Sequence, residues 1–130
     1  MALQARKALV PEAAKRVLVV EDNLDDARMM ATLLGMMGHR VEYAINATVA
    51  EGIATAFMPD YAFIDLRLPD GHGAELARKI LAASKIDTRI YAVTASTHEP
   101  DHQRALKAGC VGVLVKPVAS EVFEQILARR

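Results

Sequence analysis

The sequence has no tryptophan, one cysteine and only 5% aromatic residues. Each scarcity removes an explanation. A lone cysteine, Cys110, cannot close an internal disulfide, which excludes a disulfide-stapled scaffold and suits a reducing, cytoplasmic compartment. It sits in Ala108-Gly109-Cys110-Val111, between a predicted helix end and an apolar run, with no activating partner in view. It reads as a small buried thiol. Few aromatics and scattered basic residues argue against a base-stacking surface. Charge of one sign is also missing: 16 basic residues balance 16 acidic ones, so neither a nucleic-acid groove nor an anionic membrane surface is indicated. No apolar run approaches the roughly 20 residues of a membrane span. The first fifteen residues carry Arg6, Lys7 and Lys15 broken by Pro11 and Glu12, without the apolar centre of a signal peptide. No glycine-rich phosphate loop follows the first strand, which removes Walker-type and dinucleotide sites. Internal repeats and low-complexity tracts are absent as well.

What is present is a globular composition. Hydrophobic residues make up 52% of 130 residues and charged ones 25%, enough for one domain with a real core. Residues 1–15 read as a leader, either a short helix or mobile, and residues 16–130 as the domain. Val17-Leu18-Val19-Val20 is apolar on both faces and too short for a helix, the pattern of a central parallel strand. It ends in Glu21-Asp22-Asn23. A helical stretch follows, with Met30, Leu33, Leu34 and Met37 inward and Gly38 as its stop. Arg40 to Ile45 alternates like a strand nearer the sheet edge. Asn46 can cap the next helix, whose inner face reads as Val49, Ile53, Ala56 and Phe57, with Pro59 at its end.

Tyr61-Ala62-Phe63-Ile64-Asp65 is the third strand, followed by a loop forced by Pro69 and Gly71. Leu76, Ile80 and Leu81 face inward on the next helix. Arg89 to Thr94 forms a fourth strand, Asp101 to Ala108 a helix, and Val111 to Val115 a fifth strand ending in Lys116-Pro117. The last helix buries Val122, Phe123, Ile126 and Leu127, with terminal arginines suited to its dipole. Five strands alternating with five helices predict an α/β sandwich around a parallel sheet. Right-handed crossovers place every strand's C-terminal end on one edge, where such sheets bind ligands.

At that edge the strand ends offer Glu21 and Asp22, then Asp65, Thr94 and Lys116. A carboxylate on a buried strand end is costly unless a cation or donors meet it. If strands one and three are neighbours, Asp22 and Asp65 converge, and converging carboxylates repel unless a cation lies between them. Hard oxygen donors suit Mg²⁺ better than zinc. With an ammonium and a hydroxyl alongside, Asp65 is equipped to attack a phosphoryl group and form an acyl phosphate. The four histidines, His39, His72, His98 and His102, fall at turns or on helices away from strand ends and read as solvated surface residues. His72 is the one near the Asp65 loop.

From about Arg16 to Leu127 the chain resembles the receiver domain of two-component response regulators. The resemblance rests on Val20-Glu21-Asp22-Asn23, Ile64-Asp65-Leu66-Arg67-Leu68-Pro69-Asp70-Gly71, Val93-Thr94-Ala95 and Val115-Lys116-Pro117. It implies a doubly wound, flavodoxin-like three-layer sandwich with sheet order 2-1-3-4-5. It implies Asp65 as the phosphoacceptor, Asp22 as direct Mg²⁺ ligand, Glu21 as a ligand through water and Arg67 as a ligand through its backbone carbonyl. Thr94 takes the place of the switch hydroxyl and Lys116 of the phosphate-pairing cation, and Pro117 resembles the family's cis proline. The implied donor is a phosphohistidine on a sensor histidine kinase or histidine phosphotransfer protein, with a downstream protein target at the face of helix 4, strand 5 and helix 5. Such a domain catalyses only its own phosphorylation and dephosphorylation. No output domain follows the last predicted helix, as expected of a stand-alone receiver or of a piece of a hybrid kinase or longer regulator.

One position departs from the pattern. Receivers usually carry Tyr or Phe three residues before the site lysine, where this chain has Val113. Valine is small and stiff at χ1, so the expected relay runs through the loop after Thr94 and the helix beyond, with Tyr91 as a possible substitute aromatic. Two rival functions are weaker. A haloacid-dehalogenase-type phosphohydrolase needs a second Asp two residues after its nucleophile, where Arg67 stands, and places that nucleophile on the first strand. A phosphorylation-independent pseudo-receiver would have no use for the complete acidic set.

Overall fold

A computed structural model describes residues 14–128. Most of the expected leader and the two terminal arginines lie outside the described residues. Five strands form one parallel sheet: β1 (Arg16–Val20), β2 (Arg40–Ala44), β3 (Tyr61–Asp65), β4 (Arg89–Thr94) and β5 (Gly112–Val115). Their order is β2-β1-β3-β4-β5. Five helices alternate with them: α1 (Leu24–Met36), α2 (Ala47–Phe57), α3 (Gly73–Ala83), α4 (Glu99–Lys107) and α5 (Ser120–Leu127).

The central strands are apolar throughout because both faces are covered. Val17 and Val19 of β1 and Tyr61 and Phe63 of β3 point into a core closed by Leu34 of α1 and Phe123, Ile126 and Leu127 of α5. Their alternate neighbours, Leu18, Val20, Ala62 and Ile64, point into the opposite core under α2, α3 and α4. Parallel strands buried on both sides show no alternation of polarity, which is why these runs are legible as central strands. Phe63 fills the middle of its core, stacked on Tyr91 at 5.9 Å between ring centroids and edge-on to Phe123 at 5.0 Å.

Several expectations need correction. The buried face of α2 is Ala50 and Ala54, with the expected Ile53 half-buried against the same core; of the other expected residues, Val49 and Ala56 are exposed and Phe57 is only half-buried. Small residues face the sheet, and the larger ones lie at the rim. The helix runs to Phe57 and its C-cap Met58 takes the left-handed conformation with φ of 49°, directly ahead of the Pro59 expected at its end. The α4 helix begins at Glu99, two residues earlier than expected, with Pro100 in its first turn. The loop after Asp65 contains a short antiparallel ribbon pairing Arg67 with His72 and Leu68 with Gly71.

His39 is buried rather than solvated. Its Nδ1 accepts the Lys15 backbone N–H at 3.0 Å, so the ring ties the entrance of β1 to the turn before β2. Burial, with Lys15 nearby, lowers its pKa below the ordinary histidine value. Cys110 is a buried thiol as expected, its pKa pushed up by burial to about 11.

Candidate functional site

Because β1 and β3 are neighbours, pairing Val20 with Ile64, the residues that follow them emerge side by side. Glu21, Asp22 and Asp65 each offer a carboxylate oxygen, and these oxygens lie within 4.8 Å of one another. Glu21 and Asp65 are buried while Asp22 is exposed, so the cluster opens to solvent on the Asp22 side. The set contains only hard oxygen donors. Opposite ligands of an octahedral Mg²⁺ stand roughly 4 Å apart, so this spacing and chemistry fit that ion and not a thiolate- or imidazole-preferring metal.

The buried carboxylates are met by donors. Lys116, delivered by the end of β5, places Nζ 2.5 Å from Glu21 Oε2 and 3.0 Å from Asp65 Oδ2. Its backbone N–H donates to the Thr94 carbonyl at 2.8 Å, and the Lys116–Pro117 peptide is cis. Asp65 Oδ1 accepts the Arg67 N–H at 3.0 Å, and Glu21 Oε1 accepts the Asn23 N–H at 3.3 Å. Burial raises the Glu21 pKa, helped by the Asp22 side chain, and the pull of Lys116 and Asn23 does not reverse it. Burial lowers that of Lys116, but hydrogen bonds to Glu21 and Asp65 outweigh it and hold the ammonium above the ordinary lysine value. A cation shared between two buried carboxylates is a fixed positive charge beside the Asp65 oxygen.

Thr94 closes β4 on the other side. It is buried, and its Oγ1 accepts the Ser96 N–H at 3.1 Å. Asp22, Asp65, Arg67, Thr94, Ala95 and Ser96 line one open cleft of about 340 Å³. All six residues singled out from the sequence, Glu21, Asp22, Asp65, Arg67, Thr94 and Lys116, are therefore gathered at a single corner of the sheet edge.

Two positioning residues were not singled out. Asp70 reaches across to α2 and accepts from the Ala47 N–H at 2.7 Å, the Thr48 N–H at 2.9 Å and the Thr48 hydroxyl at 2.7 Å. Those bonds hold its pKa down at about 2 and staple the loop after Asp65 to a helix N-terminus. Gly73 opens α3 directly against the Asp65–Leu66 backbone, where a Cβ would sit 2.8 Å from Leu66 Cα. The Pro69-Asp70-Gly71 turn signal was visible in sequence, but neither long-range contact has a local signature.

A family model described as the response regulator receiver domain matches residues 17–128. The acid tolerance regulatory protein ActR of Rhizobium meliloti is 34% identical over 118 residues, covering 88% of this chain and 59% of that protein. A CheY-like response regulator receiver domain protein from Methanospirillum hungatei superposes with a TM-score of 0.81 at 26% identity, covering 88% of this chain and 91% of that one. A further match comes from the co-crystal of the Saccharomyces cerevisiae histidine phosphotransfer protein Ypd1 with the receiver domain of its response regulator Ssk1. Its TM-score is 0.79 at 28% identity, over 88% of this chain and 86% of that one. The chain spans 59% of the length of ActR, 49% of the virulence transcriptional regulatory protein PhoP of Salmonella typhimurium and 13% of the autoinducer 2 sensor kinase/phosphatase LuxQ of Vibrio vulnificus.

Proposed function

The chain belongs to the response regulator receiver domain family, and from that premise we propose that Asp65 accepts a phosphoryl group from a phosphohistidine donor in a Mg²⁺-dependent reaction. The observation that carries this reading is Lys116 bridging Glu21 and Asp65 beside Asp22, with Thr94 across the cleft. Clustered ionisable groups of this kind, drawn from separate strands, support a reaction site over a structural ion pair.

An Asp65 carboxylate oxygen attacks phosphorus. The P–N bond to the donor imidazole breaks, its electron pair leaves on the ring nitrogen, and an acyl phosphate remains on Asp65. Lys116, already paired to Asp65, meets the negative charge of the incoming phosphoryl oxygens. The Thr94 hydroxyl, held by the Ser96 N–H before transfer, carries the proton it would donate on turning to such an oxygen. Glu21, Asp22, Asp65 and the Arg67 main-chain carbonyl would hold Mg²⁺, whose contribution is neutralisation of charge on the transferred group. The protein performs this step on itself, and water later attacks phosphorus, releasing inorganic phosphate and restoring the Asp65 carboxylate, with no other substrate turned over.

The partner match with a histidine phosphotransfer complex supports a sensor kinase or phosphotransfer protein as donor. On the α4–β5–α5 side, Leu106, Val111 and Val115 are exposed apolar residues that suit a downstream protein target. Among the described residues no helix is long and apolar enough to cross a membrane, and action in the cytoplasm is part of the proposed reading. Residues 16–130 form the working domain in this reading.

Incubation with Mg²⁺ and acetyl phosphate, followed by intact-mass measurement, tests the reading. One added phosphoryl group is expected, lost in Asp65→Asn and when EDTA removes the metal. No mass gain, or a gain that survives Asp65→Asn, would overturn it.

A further inference from the structure

We propose that Asp101 is a positioning residue that passes the state of the cleft into α4, through Ser96 on one side and His72 on the other. The proposal rests on the receiver reading above and names the route by which the signal leaves. Thr94 Oγ1 accepts the Ser96 N–H at 3.1 Å. The Ser96 hydroxyl then turns to α4: its oxygen accepts the His98 N–H at 3.0 Å and lies 3.5 Å from Asp101 Oδ2. The Ser96 carbonyl meets His102 Nε2 at 2.7 Å. Two residues beyond the switch hydroxyl, one serine thus holds three positions at the start of α4.

The other oxygen of Asp101 faces the acceptor loop. His72 Nε2 lies 3.8 Å from Asp101 Oδ1, while His72 Nδ1 accepts the Ala74 N–H at 3.1 Å. Nδ1 being the acceptor, the proton of the neutral ring sits on Nε2, on the Asp101 side. The His72 backbone is paired with Arg67 in the ribbon that follows Asp65. Asp101 therefore stands between the two loops that border the phosphoryl site, each reaching it through a single side chain.

The helix is built to respond to such contacts. Among the described residues of α4, Ala105 alone is buried, and the N-cap residue His98 makes no side-chain capping bond. With little apolar burial and no cap of its own, α4 takes its N-terminal position from Ser96, Asp101 and His102. When the Thr94 hydroxyl turns toward a phosphoryl oxygen, the Ser96 N–H loses its acceptor. The Ser96 loop then re-pairs, and the first turn of α4 moves with it. A contiguous polar chain of this kind, given a second arrangement in the phosphorylated state, meets the physical requirement for coupling.

The test compares wild type, Asp101→Ala and Asp101→Asn, the last keeping an acceptor oxygen. Phosphoryl uptake from acetyl phosphate is read by mass, and the response of α4 by amide chemical-shift changes over residues 99–107 on adding beryllofluoride with Mg²⁺. Asp101→Ala should take up the phosphoryl group as wild type does, while the shift changes in α4 shrink about twofold or more, the lower range of measured couplings. Asp101→Asn should recover most of the response. A full α4 response in Asp101→Ala would overturn the link, and so would loss of uptake in that variant. Absence of uptake in the wild type would instead overturn the receiver reading beneath it.

Discussion

The corner at the ends of β1 and β3 and the corner where β4 meets α4 share one sheet edge but are held by different forces. At the first, Asp65 ends a strand buried from Tyr61 onward, and its carboxylate is fixed by Lys116 and the Arg67 N–H. At the second, a helix with one buried residue meets the preceding four-residue loop through polar contacts of Ser96 with Asp101 and His102. The difference teaches how one small domain can bind chemistry rigidly and still report it. Preorganised charge needs a scaffold that does not relax, whereas a readout needs an element whose position a few hydrogen bonds can change.

Truncating one apolar side chain in the element behind each corner, β3 and α4, is the most severe way to break this comparison. Phe63 is 1% exposed and touches two rings, so Phe63→Ala should cost about 3–5 kcal/mol. That is a large share of a total stability of roughly 5–15 kcal/mol. Leu106 in α4 is 44% exposed, and Leu106→Ala should cost less than about 0.5 kcal/mol. Urea unfolding of both variants measures the gap. Equal losses would mean that α4 is anchored as firmly as the central sheet.

A smaller effect is expected from Gly73→Ala, but it falls directly on the acceptor. The added methyl would meet the Asp65 carbonyl oxygen and stand 2.9 Å from Asp65 C, so backbone must move. The strain should cost about 1–3 kcal/mol. Displacing Asp65 from Lys116 should slow phosphoryl uptake about tenfold, on the general sensitivity of reacting groups to sub-ångström misplacement. Uptake at the wild-type rate with stability lost would show that the acceptor loop relaxes independently of its carboxylate, contrary to the rigid corner described above.

The contrast between the corners also decides what was legible in the sequence. The strands were legible because burial on both faces leaves uninterrupted runs such as Val17 to Val20, and the site was legible because its charged residues stand where those runs stop. The α2 face was not. Periodicity ranks Val49 and Phe57 by hydrophobicity, while the sheet selects the small Ala50 and Ala54. His39 looked like a surface turn residue because its partner, the Lys15 N–H, is 24 residues away. The Asp70 staple and the His72–Asp101 contact are hidden for the same reason: each joins loops that become neighbours only after the sheet has formed.

The smallest effect is expected at Val113, and its smallness is informative. Val113 is half-buried on β5 opposite Ala92 and packs into the core under α2, α3 and α4, the side to which Ala92 also points. Tyr91, considered from sequence as a substitute aromatic, belongs to the other core with Phe63 and Leu114, and its ring lies beside Gly112. The sheet separates the two side chains, so Tyr91 cannot enter the space behind Thr94 that an aromatic at position 113 would use. Val113→Ala removes two half-buried methyl groups and should cost about 0.5–1 kcal/mol. If the signal leaves through Ser96 and Asp101, the beryllofluoride-induced shifts of α4 should stay at the wild-type amplitude in this variant while they shrink in Asp101→Ala. The reverse ranking, with Val113→Ala silencing α4 and Asp101→Ala leaving it intact, would place the relay in the apolar core beneath the helix and not in the polar contacts at its first turn.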